Sequence, residues 1–395
     1  MKLTTPDYYK DFKCIAGDCT DTCCAGWEVD VEPASYEYYK TVKGPFGDRL
    51  KSVMAPEEEG GCTFTLNKGR CPFLNQKNLC DLYMELGEDR LCDTCAEFPR
   101  FINEYGSVRE MGIAPSCKTA GELIFGYEGK HTFVTEECDD KITTYNDIDP
   151  QTYFQLRQAR KTAYALVQNR RWSITDRCML LLEFASKIQK KLDAERDELI
   201  ANVTKAFTSE EYCEQVLDRC HRLYGGTEKA YEAVNRYFDV FPGMEVINPD
   251  WIKYTKVQDD FMQMCRETSG AAAYDRCVRD FDAYYADRQF EYEQLMMYYV
   301  FRYFLDAVND YDVLLKVKIG VIGYLVLRQL DVATWYANHG TLSKKEQVDL
   351  AHLYSRQFEH SYTNYAQYIE FFESKRCYSY PTLMKILAGA TGDRM

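Results

Sequence analysis

Thiol chemistry is the first question that this sequence raises, because it contains 17 cysteines and ten of them fall between Cys14 and Cys117. Thiolates bind metals, form disulfides or act as nucleophiles, and their spacing helps to separate these uses. Four thiols lie within eleven residues, at Cys14, Cys19, Cys23 and Cys24. A metal explains such density more simply than disulfides do, above all in a reducing compartment. We therefore predict one or more metal centres, held by clustered thiolates before about residue 120.

A second group of thiols follows at wider spacing. Its members are Cys71, Cys80, Cys92, Cys95 and Cys117. Eight to ten thiols are enough for two four-cysteine sites. Because adjacent side chains diverge in a strand or turn, either Cys23 and Cys24 serve different sites or one of them is structural. The seven cysteines after residue 130 lack ligand spacing and are interpreted as small buried hydrophobes.

The identity of the metal is constrained by what the cysteine-rich region lacks. None of the five histidines lies before residue 131, which disfavours mixed cysteine and histidine zinc fingers. All-thiolate coordination leaves tetrahedral zinc or an iron–sulfur cluster, and spacing alone does not separate the two. Only Cys92-x2-Cys95 has the short spacing of zinc ribbons, and no second pair of that kind lies nearby. We favour an iron–sulfur centre of the 4Fe–4S type, with structural zinc as one alternative and redox or incidental cysteines as another.

Two kinds of sequence pattern divide the chain. Residues 1–140 are rich in cysteine, glycine and proline and lack periodicity, which predicts loops and short helices around the metal. From residue 141 to 395 apolar residues recur at helical spacing, as at Met297, Phe301, Phe304 and Val308. We predict a mainly α protein with a cysteine-rich metal domain at 1–140 and a helical domain at 141–395.

Local signals set further expectations for the helical region. We expect Asp176 or Thr175 to cap a helix through Met179, and Gly225-Gly226 to end another. Residues 313–327 form the most apolar stretch, but it contains two lysines. It is also shorter than the roughly 20 residues that cross a bilayer. This stretch therefore predicts a buried helix and no membrane span.

Charge and the amino-terminal residues bear on partners and location. The formal net charge is −14, and the isoelectric point is near 5.0. Such an acidic balance argues against a nucleic-acid partner, which needs a basic face. The first residues lack the apolar core of a secretory signal. We expect a cytoplasmic protein that binds no nucleic acid.

An ordered set of residues resembles a known family from Phe12 to Cys117. The residues are Phe12, Cys14, Cys19, Cys23-Cys24, Trp27, Cys71-Pro72-Phe73-Leu74, Leu79-Cys80, Glu85-Leu86-Gly87-Glu88, Cys95, Phe98-Pro99-Arg100 and Ser116-Cys117. This pattern resembles the flagellin lysine-N-methylases. The cysteine-rich part also resembles a wider family of zinc- or iron-chelating proteins with a Cys-x-x-Cys-Cys type signature.

The resemblance implies methyl transfer from S-adenosylmethionine to the ε-amine of flagellin lysines, with an iron–sulfur cluster taking part. On the family pattern lie Cys14, Cys19, Cys23, Cys24, Cys71, Cys80, Cys95 and Cys117. Cys92 ranks lower, because the resemblance implies that relatives can carry a residue other than cysteine at its place. Radical S-adenosylmethionine enzymes use Cys-x3-Cys-x2-Cys, whereas this chain has Cys19-x3-Cys23-Cys24. The departure argues against ordinary radical chemistry.

Few residues suggest a binding site for the methyl donor. No G-x-G occurs anywhere, so no Rossmann turn is indicated, and Gly320 and Gly323 are interpreted as helix-packing glycines. Arg100 is the candidate for binding the donor carboxylate through its bidentate fork, with closure of a loop through backbone carbonyls as the alternative. Trp27 is expected to pack over the thiols and exclude water.

No catalytic residue is assigned. An amine must be neutral to attack a methyl group, and Glu85, Glu88 and Asp89 are able to take that proton, with a solvated acidic turn as the alternative. The favoured function is a cytoplasmic methyltransferase that acts on flagellin, whose lysines an acidic surface attracts. The rival is a metal-stapled binding protein without turnover.

Overall fold

A computed structural model of the chain describes residues 1–58, 60–139, 142 and 148–389. Most of the polar segment before Pro150, where the sequence places the junction between domains, lies outside these residues. Among the described residues, helices dominate, which confirms the prediction of a mainly α protein.

Short strands make up part of the first third of the chain. They are β1 (Lys2–Pro6), β2 (Asp30–Val31), β3 (Met54–Pro56), β4 (Cys62–Phe64), β5 (Arg100–Tyr105), β6 (Val108–Ile113) and β7 (Phe133–Glu137). The larger sheet has the order β5-β6-β1-β7, with β1 parallel to β6 and Leu3 paired with Arg109 and Glu136. The smaller sheet has the order β2-β4-β3. The prediction of loops and short helices missed both sheets, because strands this short show no clear alternation.

Helices of the first third are also short. They are α1 (Pro33–Thr41), α2 (Gly44–Val53), α3 (Asp81–Leu86), α4 (Asp93–Glu97) and α5 (Lys118–Gly126). Proline at the start of α1 and α2 suits the first turn, where its missing N–H has no helical partner.

Helices, most of them longer, form the rest of the described chain. They are α6 (Pro150–Val167), α7 (Ile174–Leu192), α8 (Ile200–Ala206), α9 (Glu210–Tyr224), α10 (Thr227–Val234), α11 (Asp250–Glu267), α12 (Ala271–Tyr284), α13 (Phe290–Tyr303), α14 (Ala307–Asp310), α15 (Val313–Ala337), α16 (Lys344–Glu359), α17 (Tyr362–Ser374) and α18 (Tyr380–Gly389).

Helix α15 is the centre of this helical body and packs against α7, α11 and α13. It is buried on all sides over most of its length, as expected of a helix with apolar residues on every face. Its two lysines keep polar partners: Lys316 Nζ lies 2.9 Å from Asp306, and Lys318 Nζ donates to the Phe372 carbonyl. The prediction of a buried helix is confirmed. Within the described residues, no helix is both long enough and apolar enough to cross a membrane.

The predicted start of α7 was wrong, whereas the predicted end of α9 is confirmed. The cap of α7 is Ser173, whose hydroxyl accepts the Asp176 N–H at 3.1 Å, so the expectation of Thr175 or Asp176 was wrong. Serine fits because its oxygen reaches the N–H three residues on. The end of α9 at Gly225 is confirmed, with the Gly225 N–H donating to the His221 carbonyl at 2.9 Å.

The apolar residues around residue 300 recur at helical spacing, but they do not all lie in one continuous α-helix. All four residues of the predicted face are buried. However, α13 ends at Tyr303, and a 3₁₀ turn over Phe304–Asp306 leads into α14. Only Met297 and Phe301 therefore share one α-helix, and the prediction of a single continuous face was wrong for the other two residues.

Two hydrophobic cores organise the described residues. The larger joins the helical body to residues of the first third such as Ile113 and Ile124. The smaller is built from Val31, Tyr39 and Phe64 with their neighbours, and it includes cysteine side chains. The division into domains at residue 140 stays a prediction.

Glycines in α15 allow the close approach of α13. A Cβ at Gly320 would lie 2.8 Å from Tyr299 Cβ, and one at Gly323 would lie 2.7 Å from Tyr299 Cζ. Gly126 ends α5 in open space, with no atom within 4 Å of an added Cβ. The interpretation of Gly320 and Gly323 as packing glycines is confirmed.

A methyl group at Gly320 should therefore destabilise the protein. We expect Gly320→Ala to lower the free energy of unfolding by about 1–3 kcal/mol, because the Tyr299 Cβ is fixed to its backbone and cannot swing away. Gly126→Ala should leave stability unchanged or raise it by up to about 1 kcal/mol, since alanine is the better helix former. Urea denaturation measures both. Equal effects of the two substitutions would contradict this packing.

Candidate metal centre

The first thiols lie on irregular backbone between β1 and β2. Cys14 is exposed, whereas Cys19, Cys23 and Cys24 are half-buried. The Ala16 N–H donates to Cys14 Sγ at 3.4 Å, and Cys19 Sγ donates to the Asp21 carbonyl at 3.2 Å. The sulfur atoms of Cys14 and Cys19 therefore form hydrogen bonds with the backbone two residues further on.

Helix α16 holds the same segment from the other side. Arg356, which is only 2% exposed, donates from Nη1 to Asp21 Oδ1 at 2.8 Å. Its Nη2 donates to the Ala25 carbonyl at 2.7 Å and to the Thr22 carbonyl at 3.3 Å. The fork of Arg356 thus fixes the backbone on both sides of the Cys23-Cys24 pair.

Asp21 is the residue of this segment whose carboxylate contacts both Arg356 and His352 of α16. His352 Nε2 lies 2.7 Å from Asp21 Oδ2, and Asn248 Nδ2 donates to the same oxygen at 2.9 Å. Burial alone would raise the pKa of Asp21, but the His352 hydrogen bond and the Arg356 charge outweigh burial and lower this pKa to about 2. Asp21 is therefore a carboxylate at neutral pH.

Glycine is needed at position 26, where the segment that carries Cys23 and Cys24 packs against the loop before α11. Gly26 has a φ of +96°, and a Cβ there would lie 2.7 Å from the Ile247 carbonyl oxygen. A side chain at this position would be strained and would also push the two backbones apart.

The second group of thiols begins beside the first. The Cys71 N–H donates to the Cys24 carbonyl at 2.8 Å. Cys80 pairs with Leu74 across a tight loop and starts α3, where its sulfur accepts the Tyr83 N–H at 3.5 Å. Backbone hydrogen bonds thus bring Cys71 and Cys80 to the region of Cys24.

Cys92 directly precedes α4, and Cys95 lies within it. The Cys95 N–H donates to the Cys92 carbonyl at 3.0 Å, and the Thr94 hydroxyl donates to the Asp30 carbonyl at 2.8 Å. Cys92, which sequence reasoning ranked lower, is buried in the smaller core, and Cys95 packs against that core.

Neighbouring thiols change one another's acidity. A hydrogen bond between Cys23 and Cys24 raises the pKa of Cys23 and lowers the pKa of Cys24 to about 7. Burial opposes the lowering of the Cys24 pKa, whereas the charges of Arg356 and Arg70 support it. Cys24 therefore loses its proton at a lower pH than an ordinary cysteine does, and the resulting thiolate is the form that binds metals.

Three aromatic rings connect the thiol-bearing segments to α16. Trp27 and Phe98 each follow a thiol by three residues, and their ring centroids lie 5.4 Å apart. The His360 ring lies 5.4 Å from each of them, stacked on Trp27 and edge-on to Phe98. The Arg356 guanidinium lies 4.1 Å from the Trp27 ring centre, which is a favourable cation–π distance. Trp27 was expected over the thiols, and the contacts that the structure records for its ring are these three.

Sequence reasoning missed Asp21, the α16 residues His352 and Arg356, and His360, which directly follows α16. The spacing of four residues along a helix was the available signal, because it places three polar side chains on one face. Polar side chains on one face of a helix ordinarily form its solvent-exposed surface, so this spacing did not suggest a buried contact. Its partner Asp21 lies more than 300 positions away in sequence, and no local pattern predicts that contact.

Other candidate residues have local partners. Arg100 donates to the Tyr9 hydroxyl at 3.2 Å and to the Ala96 carbonyl at 3.3 Å, which is the loop-closing arrangement. Its role as a carboxylate ligand stays a prediction. Glu85, Glu88 and Asp89 are exposed, as expected of a solvated acidic turn.

The donor atoms available here are sulfur atoms. The cysteines are free thiols. Within the described part of the chain, no three or more His, Cys, Asp or Glu side chains are arranged around a single ion position. The chemistry of the donor set suits zinc or an iron–sulfur cluster, since both prefer soft thiolates. The eight cysteines predicted as ligands fit such a group by donor type, and their binding of metal stays a prediction.

Comparisons with known proteins point to one family. The family model described as "FliB lysine N-methylase C-terminal domain" matches residues 160–386, which is more than half of the chain. The flagellar biosynthetic protein FliU of Salmonella muenchen is 25% identical over 123 residues, covering 30% of this chain and 73% of FliU.

Two similar proteins are named for an activity. The lysine-N-methylases of Salmonella typhimurium and Salmonella choleraesuis are each 25% identical, over 123 and 127 residues respectively. In each comparison the aligned stretch covers 30% of this chain and 31% of the relative, so less than a third of those proteins is matched. No solved structure matches.

Proposed function

The chain belongs to the FliB lysine N-methylase family, and from this premise we propose that it is a protein-lysine methyltransferase that acts on flagellin. S-adenosylmethionine is the proposed methyl donor, and a thiolate-bound iron–sulfur centre is the proposed metal group. Two of the similar proteins carry the name lysine-N-methylase, and a third is named as a flagellar biosynthetic protein. These names motivate the reaction and the substrate.

One structural observation carries the proposal. Helix α16 lies inside the family match at 160–386, and its Arg356 and His352 grip the segment that bears Cys23 and Cys24. The part of the chain that resembles a methylase and the part rich in thiols therefore meet at one place. A metal centre built on these thiols would belong to the methylase unit and would not be a separate appendage.

The proposed reaction balances without an oxidant. The neutral lysine nitrogen donates its lone pair to the methyl carbon of the donor, and the carbon–sulfur bond breaks with its electrons kept by sulfur. S-adenosylhomocysteine leaves, and the methylated ammonium loses one proton. When bound, an iron–sulfur group in which one iron lacks a protein ligand would supply a Lewis acid for the methyl donor. The protein residues Arg356 and Asp21 would hold the ligand-bearing backbone in place.

Charge favours a basic acceptor. The formal net charge of −14 gives the protein an attractive field for lysine-bearing surfaces. Methylation before export would place the reaction in the cytoplasm, where thiolates remain reduced and able to bind metal.

Mass spectrometry of flagellin tests the proposal. Protein purified without oxygen is mixed with reductant, S-adenosylmethionine and unmethylated flagellin, and the lysine peptides are weighed. We expect lysines heavier by one or more methyl groups and none in the absence of the donor. A lysine-rich protein unrelated to flagellin is the matched acceptor control. Intact metal with no methylation of either acceptor would reject the enzyme and favour the metal-stapled binding protein.

A further inference from the structure

We infer that Asp331 of α15 keeps its proton at neutral pH, and that loss of this proton as the pH rises is a switch that loosens α13 from α15. Asp331 lies in the central helix of the helical body, and its side chain is 0% exposed. The inference depends neither on methyl transfer nor on bound metal.

The carboxyl group of Asp331 meets α13. The Tyr292 hydroxyl donates to Asp331 Oδ2 at 2.5 Å. Among the residues that the structure describes, none lies within hydrogen-bonding distance of the buried Oδ1. A charged carboxylate costs far more free energy in such a place than a neutral acid does, because burial removes the water that would solvate the charge.

Positive charges close to Asp331 are already neutralised. The arginines whose charges act on it are Arg288 and Arg328. Arg288 donates to both oxygens of Glu291, from Nε and from Nη2, at 2.9 Å each. Arg328 donates from Nη2 to both oxygens of Asp282, at 2.6 and 2.7 Å. An arginine paired in this way compensates little for a further negative charge.

Two more helices that pack against α15 contribute groups with partners of their own. From α7, Arg177 Nη1 donates to Glu293 at 2.6 Å. From α16, Glu346 accepts from Asn338 Nδ2 at 2.7 Å. Among the contacts that the structure describes, Asp331 therefore has no cation of its own.

Aromatic rings surround the contact between Asp331 and Tyr292. The Tyr292 ring centroid lies 5.1 Å from that of Tyr285 and 5.2 Å from that of Tyr324. All three tyrosines are buried, and a phenol hydroxyl supplies a donor but no positive charge. On the α11 side, the amide of Gln258 that bonds to α15 is likewise neutral.

Acidity agrees with this geometry. Burial raises the pKa of Asp331 well above its usual range, and the Glu291 charge raises it further. The Tyr292 hydrogen bond and the two arginine charges lower this pKa, but burial outweighs them. The folded protein therefore holds this proton more tightly than the unfolded chain does. The stability that comes with the proton is lost as the pH rises toward the pKa of the folded state.

Ionisation would change the contact between the two helices. A carboxylate requires solvation or a positive partner. Because Asp331 Oδ1 is shielded from solvent, solvation requires α13 and α15 to separate near Tyr292. We therefore expect α13 to loosen as the pH rises.

Unfolding of Asp331→Asn over a range of pH tests the protonation, because asparagine has the shape of the protonated acid and cannot ionise. From about pH 5 to about pH 8, the unfolding constant of the wild type should rise relative to that of the variant. The rise should reach about tenfold per pH unit until the folded acid ionises. In the control Asp260→Asn, at a side chain that is 65% exposed, the ratio should stay level. A level ratio for Asp331→Asn as well would overturn the inference.

Infrared spectroscopy and hydrogen exchange of the wild-type protein need no variant to fold. At neutral pH we expect the carbonyl band of a protonated carboxylic acid, and this band should shift when aspartate is labelled with carbon-13. The amides of α13, after correction for intrinsic exchange, should lose protection as the pH rises, whereas those of α9 should keep it. A spectrum without the band, constant protection of α13, or equal loss in α9 would overturn the switch.

Discussion

Serine in place of Cys71 should release the metal of its site and unfold the smaller core, whereas serine in place of Cys213 should leave the metal content unchanged. Both thiols are buried, with exposed fractions of 7% for Cys71 and 1% for Cys213. The two substitutions therefore remove the same atom from similarly buried positions, and they differ in whether that atom is a proposed metal ligand.

The expected difference in free energy is large. Binding of a structural metal supplies folding free energy of about 10 kcal/mol, and serine at a ligand position forfeits much of it. A buried hydroxyl without a good partner costs about 1–3 kcal/mol. At Cys213 the sulfur donates to the Phe207 carbonyl at 3.4 Å, and a serine hydroxyl keeps an acceptor nearby.

Metal analysis and urea denaturation, run on both variants and the wild type, check this expectation. Equal metal content and equal unfolding midpoints for Cys71→Ser and Cys213→Ser would contradict the assignment of Cys71 as a ligand.

Removing the Arg356 side chain should cost about 3–5 kcal/mol of unfolding free energy. Arg356→Ala leaves the Asp21 carboxylate without its guanidinium and strips the carbonyls of Thr22 and Ala25 of their donor. Arg356→Lys should recover only part of the loss, because an ammonium lacks the planar fork that reaches both sides of the Cys23-Cys24 pair.

An exposed arginine provides the matched control for this clamp. Arg196 pairs with Glu198, and both side chains are more than half exposed. Arg196→Ala should change the stability by less than about 0.5 kcal/mol. Urea denaturation and metal content are measured for all three variants. If Arg356→Ala proves as stable and as metal-rich as Arg196→Ala, then α16 does not hold the cysteine segment in the way described.

Sequence patterns predicted those features that depend on local composition. The apolar residues on every face of α15 indicated burial on all sides, and the glycine after α9 indicated the end of that helix. The density of thiols and the absence of early histidines favour sulfur as the donor atom of any metal site, because donor type is a property of composition, and the binding of metal stays a prediction.

Features that depend on distant contacts escaped prediction. The strand Lys2–Pro6 is stabilised by pairing with residues more than 100 positions away, so its short sequence carries little information about it. In the sequence Asp21 has no feature that distinguishes it from an ordinary loop residue, and its contacts with His352 and Arg356 become evident only in the fold. The contacts of the Trp27 ring with His360 and Arg356 were likewise not predicted, because both partners come from the other end of the chain.

The measurement that tests the account most directly is methyl transfer by one preparation in three states: as purified without oxygen, stripped of metal, and reloaded with iron and sulfide. Circular dichroism is recorded for each state, so that loss of fold is separated from loss of metal. We predict methylated flagellin lysines with the first and third states and none with the second, because the thiol-bearing segment that is proposed to hold the metal contacts α16 of the family-matched region. Full methylation by protein that is folded and free of metal would contradict the account.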